Sequence, residues 1–148
     1  MAPQGRSVVA RPSSVAAMTS GVDEQLRTSL DRLVDRLRSL PASRLDRALP
    51  GREGKSLTET TVEVSTWCVA AEAAVVGRGQ DPSPQPHPLP AVAPLSCGDQ
   101  LRVVAYDLLT ALADWTDDTT VLLEGRPVDR TAVTVQLRDR LVELRAVS

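Results

Sequence analysis

The chain contains no phenylalanine and no isoleucine, and its aromatic side chains are Trp67, Tyr106 and Trp115. Val, Leu and Ala must therefore fill any core, and such side chains suit closely packed helices better than a deep aromatic interior. Lysine is nearly missing too. Lys55 stands alone against 17 basic residues in total, so arginine carries almost all positive charge. A basic excess is also lacking. The net charge is −2 with 24% charged residues, whereas a dedicated nucleic-acid binder shows a positive balance. No run approaches the roughly 18 apolar residues of a membrane span; the longest, Trp67 to Val76, is interrupted by Glu72.

Cysteine and histidine are scarce. Cys68, Cys97 and His87 are the thiol and imidazole ligands available, and their spacing matches no zinc pattern. With a single histidine, a serine triad has little to draw on, and no Glu-x-x-His pair exists for a di-iron bundle. His87 lies between Pro86 and Pro88, a poor frame for a rigid active site. Val8-Val9-Ala10 is too short for the apolar core of a secretion signal. Two reduced thiols and no signal point to the cytoplasm. No cofactor is expected.

What is present is helical periodicity in 148 residues, enough for one domain with a buried core. Residues 1–20 are rich in Ser, Ala and Pro without periodicity, and read as a disordered tail. Met18 near its end is an alternative translation start to Met1. Residues 21–148 form the single domain. In its first helix Val22, Leu26, Leu30, Leu33, Val34, Leu37 and Leu40 fall within an arc of about 120°. Thr19 or Ser20 caps it, and Asp23, Arg27 and Asp31 pair four apart on the wet face. Pro41 stops it, and 42–49 form a two-turn helix closed by Pro50-Gly51.

The spacing predicts a second main helix over 57–76, with one stripe through Leu57, Val64, Trp67, Cys68, Ala71 and Val75. A second stripe, Val62, Val69, Ala73 and Val76, lies roughly opposite, the pattern of a centrally placed helix. The β-branched run 60–64 also permits a strand; length favours helix. Residues 78–95 carry prolines at 82, 84, 86, 88, 90 and 94, forming a Pro-rich crossover inside the domain. No two of these are three apart, so the PxxP spacing read by aromatic-grooved domains is absent. The crossover can span about 55 Å at about 3.1 Å per residue, so the helices it joins need not be antiparallel.

A third helix places Leu101, Val104, Ala105, Leu108, Leu112 and Trp115 on one face, capped by Ser96 or Asp99. Val121-Leu122-Leu123 is too short to assign as helix or extended chain. A fourth helix is expected over 128–146, with Pro127 at its start and Val133, Leu137, Leu141 and Leu144 facing the core. The fold class is all-α: a bundle of four main helices plus one short helix.

Gly51-Arg-Glu-Gly-Lys55-Ser56 resembles the end of a phosphate loop. The required first glycine is replaced by Leu49, and Pro50 rather than a strand precedes it. Ser56 and Glu59 have the spacing of a capping box instead. Lys55 and Ser56 remain a candidate weak anion site at a helix start. Asp114, Asp117 and Asp118 offer too few oxygens for a firm hard-cation site.

Apolar residues left off the main stripes mark the candidate partner surface: Val103 and Tyr106 on the third helix, and Val128, Val135 and Val142, seven apart, on the fourth. Thr131 and Arg138 break a coiled-coil reading. The expected function is a small non-enzymatic interaction or regulatory protein. It acts through a helical surface on a protein partner or a second copy of itself. The alternative is a DNA-binding regulator using Arg126, Arg130, Arg138, Arg140 and Arg145, which Asp129, Asp139 and Glu143 largely offset; nucleic acid and membrane are not expected partners. A helical-bundle enzyme is the third reading.

Overall fold

The computed structural model describes residues 21–78, 96–116 and 118–148, and the helical backbone alone for 2–20. The described elements are α1 (Ala2–Ser39), α2 (Ala42–Leu45), α3 (Leu57–Val76), α4 (Cys97–Ala113), β1 (Val121–Leu123), β2 (Arg126–Val128) and α5 (Arg130–Val147). The fold is all-α, four main helices and a short one, with one small hairpin among the described residues.

α1 is continuous through Thr19 and Ser20, so neither is a helix cap. The expected tail, residues 1–20 with Met18, lies outside the residues whose side chains are described. Leu26, Leu30, Leu33, Val34 and Leu37 are buried, as their spacing requires, while Val22 is 44% exposed. Asp23 is not on the wet face: it is 6% exposed and faces Arg130. The expected two-turn helix after Pro41 is a single turn around buried Leu45. The chain then doubles back, pairing Ala48 with Ser56. Gly51 (φ 73°) and Gly54 (φ 81°) occupy left-handed positions in that turn.

α3 opens with the capping box. Ser56 Oγ accepts from the Glu59 N–H at 3.1 Å, and the Glu59 carboxylate accepts from the Ser56 N–H at 3.4 Å. Thr60 and Thr61 donate their hydroxyls to Ser56 and Leu57 carbonyls, which lets these β-branched residues sit buried in a helix rather than a strand. Its first stripe is buried, whereas Val62, Val69 and Ala73 are half-buried and Val76 is exposed.

Contacts at helix ends set the directions. Arg78, after α3, donates to the Asp114 carbonyl, after α4, and at the other end the Cys97 thiol lies beside Thr58 and Thr61. α3 and α4 are therefore parallel. α1 runs against α4, with Arg38 bonded to Asp99 and Tyr106 to Asp31. α5 is parallel to α1 through Arg130–Asp23 and Arg36–Ser148. α4 and α5 each pack between α1 and α3, which makes them diagonal to one another. Arg78 and Ser96 lie at opposite ends of the bundle, and the Pro-rich segment between them lies outside the described residues.

Neither expected cap of α4 acts as one: Ser96 makes no side-chain cap bond and Asp99 is bonded to Arg38. Gly98 lets this helix end approach α1; a Cβ there would lie 3.3 Å from Leu37 Cβ. Val121–Leu123 is extended and pairs with Arg126–Val128. Glu124 (φ 55°) and Gly125 (φ 78°) form the two-residue turn. Pro127 therefore does not begin a helix. It sits opposite Leu122 in the hairpin, and α5 starts after Asp129, whose carboxylate accepts from the Ala132 N–H at 2.7 Å. Val133, Leu137, Leu141 and Leu144 are buried as their stripe requires. No described helix is long and apolar enough to cross a membrane.

Candidate functional site

The residues expected to form one partner surface separate. Val128 belongs to β2 and is half-buried, so the seven-residue seam keeps only Val135 and Val142 on α5. These are 39% and 61% exposed, opposite the buried stripe. Val103, 61% exposed, lies on α4, across the bundle diagonal. Tyr106 faces α1. Its hydroxyl donates to the Asp31 carboxylate at 3.0 Å, and Arg27 and Arg102 stand 5.9 and 5.6 Å from its ring centre. Burial and then the Asp31 charge raise its pKa. Tyr106 thus ties α4 to α1, with Val103 exposed beside it.

On the other side, α1 and α5 enclose a groove of about 290 Å³. Val22 and Val135 contribute its apolar walls, and Asp23, Arg130, Thr134 and Arg138 its polar ones. Arg130 lies 3.6 Å from Asp23 Oδ2 and donates through Nε to the Leu112 carbonyl at 2.6 Å. Asp23 Oδ1 is buried without a hydrogen-bond partner. The arginines of α5 are mostly turned onto protein groups. Arg140 stacks 4.6 Å from the Trp67 ring centre and reaches Glu124 at 3.8 Å, and Arg138 lies 3.9 Å from Asp139.

Lys55 and Ser56 meet at the start of α3, but both are engaged. The Ser56 hydroxyl is buried in the capping box. The Lys55 ammonium bonds Glu63, whose hydrogen bond and charge raise its pKa. An incoming anion has to displace that carboxylate.

The strongest positive stretch lies outside α5. Residues 32–55 hold Arg32, Arg36, Arg38, Arg44, Arg47, Arg52 and Lys55 against Asp35, Asp46 and Glu53. The turn after α1 gathers several of these at one end of the bundle. Arg36 is held by Ser148, Arg38 by Asp99 and Arg52 by Glu143. Arg44 and Arg47 have no ion-pair or hydrogen-bond partner for their guanidinium groups among the described residues, and both line a pocket of about 460 Å³.

Cys68 and Cys97 are free and buried. Burial pushes the Cys68 thiol up to about 12, against a smaller pull from Arg140, and likewise raises Cys97. Both are held protonated, the form that is neither nucleophile nor metal ligand. Among the described residues no three His, Cys, Asp or Glu side chains are grouped to hold a metal ion; His87 and Asp117 lie outside them. Searches against protein-family models, curated proteins and solved structures return no match for this chain.

Proposed function

We propose that the chain is a cytoplasmic, non-catalytic interaction module that binds a protein partner through the outer face of α5 and the groove beside it. The observation that carries this reading is the row Val22, Val135 and Val142. Val22 and Val135 line the groove, and exposed Val142 continues the row two turns further along α5, so the three do not stand scattered. A partner helix laying its apolar face along such a row is a common mode of recognition. The two free thiols support a reducing compartment. The DNA-binding alternative has less support, because Arg130 and Arg140 are occupied by Asp23, Glu124 and Trp67.

The test combines light scattering with recovery of bound protein from the native host. Val135→Glu with Val142→Glu should leave thermal stability nearly unchanged and abolish association. A strict monomer with no co-purifying protein, in the unaltered chain, would sink the proposal.

A further inference from the structure

We propose that the pocket at the α2 end binds a small organic anion, a carboxylate or phosphate monoester carrying a compact apolar body. The site is separate from the α5 groove and does not depend on it. Arg44 and Arg47 project from α2 and the turn after it, and Leu49, Leu57, Val147 and Ser148 complete the lining. Its volume of about 460 Å³ falls in the ordinary range of small-molecule sites, roughly 300–1,000 Å³.

Three observations converge on this ligand class. The first is uncompensated charge. Among the basic residues from 36 to 55 the others hold a partner: Arg36 on Ser148, Arg38 on Asp99, Arg52 on Glu143, Lys55 on Glu63. Arg44 and Arg47 do not, and Asp46, between them in sequence, does not line the pocket. The second is the floor. Leu49 and Val147 are half-buried and pack against the core above buried Leu57, so an apolar body finds a small aliphatic surface to cover. The third is that the acceptors of Ser148, the polar residue in the lining besides the arginines, are already engaged. The Ser148 hydroxyl and main-chain oxygen accept from Arg36 at 2.9 and 2.8 Å, so they do not compete for the two free guanidinium forks. Planar forks match carboxylate and phosphate oxygens in pairs. A bare inorganic anion leaves the floor wet, and a neutral ring leaves the arginines unmatched. The combination selects a molecule with both parts.

Nitrogen–proton correlation spectra of the full chain, titrated with phenyl phosphate and with benzoate, test this. At least one probe should give saturable shifts at the amides of Leu49, Leu57 and Val147. Inorganic phosphate and phenol should each bind at least tenfold more weakly. Arg44→Gln with Arg47→Gln should weaken the better probe tenfold or more, since each lost charge-assisted pair is large on the scale of a tenfold step. Both arginines are exposed, so the variant should keep its helical circular dichroism; Arg47→Gln alone serves if it does not. The proposal is overturned if neither probe saturates at those amides by about 10 mM, well above micromolar-to-millimolar affinities. It is equally overturned if inorganic phosphate matches the organic probes or the arginine variants bind undiminished.

Discussion

α4 and α5 occupy equivalent places, each lodged between α1 and α3, yet they are held differently. α4 buries Cys97, Gly98, Leu101, Ala105, Leu108, Leu109, Ala111 and Leu112, a wide arc of mostly small or aliphatic groups. α5, one residue longer, buries Val133, Leu137, Leu141 and Leu144. Its remaining attachments are polar and run along its edges: Arg130 to Asp23, Glu143 to Arg52, Arg140 onto Trp67, and Ser148 to Arg36. The wide arc of α4 leaves Val103 as its exposed large aliphatic residue, while the narrow stripe of α5 leaves two valines facing water. One helix is core; the other is a surface element clipped to the core.

Truncating a leucine on each helix is the most direct way to break that comparison. Leu108 and Leu137 are both fully buried. Leu→Ala at such sites costs about 2–5 kcal/mol, according to how far the surroundings collapse into the space. Leu108→Ala should fall in the upper half of that range, because α4 is hemmed in by close-packed α1 and α3. Leu137→Ala should fall in the lower half, since a helix held by edge contacts can settle inward. Urea denaturation of both variants decides it, and an equal or larger loss for Leu137→Ala contradicts the contrast.

Cys68 offers a second probe, because it sits on α3 near Arg140 of α5 and reports how dry that side is. Burial raises its thiol from 9.0 to about 12. Above pH 9 the unfolded chain releases this proton while the folded one keeps it, so folding stability falls as pH rises toward 12. The contribution is fully present below pH 9 and amounts to about 4 kcal/mol at the far limit, at about 1.36 kcal/mol per unit. Cys68→Ala lacks it. Denaturation midpoints of wild type and variant should therefore converge as pH increases, with Cys97 supplying a residual slope in both. Parallel curves would mean that water reaches the thiol and that the α5 side is open.

Much of this architecture was legible in the sequence because helical stripes are local. Most inward residues of α1, α3, α4 and α5 follow from spacing, although Val22 is exposed and buried Leu109 and Ala111 lie off the expected α4 stripe; so does the Ser56–Glu59 box, whose parts lie three residues apart. The hairpin was not legible. Three residues cannot establish a period, Glu-Gly is a weaker turn signal than Asn-Gly or Asp-Gly, and proline suits a helix start as well as an edge strand. Missing it shifted the start of α5 by two residues and moved Val128 off the helix. Asp23 was misjudged for another reason. An acid in a first turn is usually solvated, and the arginine that covers it is 107 positions away in sequence. The candidate surfaces were the least legible, because exposure depends on which helices are neighbours, and nothing in a single stripe says that α4 and α5 are diagonal.

The Asp23–Arg130 pair sharpens the comparison with the smallest expected effect. Removing one member of a fully buried pair costs roughly 3–5 kcal/mol, because a bare charge stays behind. This pair is half of that case. Asp23 has one buried oxygen without a partner, so its own desolvation is incompletely offset. The Arg130 side chain is 24% exposed and keeps its bond to the Leu112 carbonyl after the acid is gone. Asp23→Ala should therefore cost about 1–2 kcal/mol, and Asp23→Leu combined with Arg130→Met should return close to wild-type stability. Hydrogen exchange locates the effect: the amides of the first turns of α5 should lose protection while those of α4 do not. A loss spread equally over both helices would mean that α5 is no clip, and that its polar edge contacts are as integral to the bundle as the packing of α4.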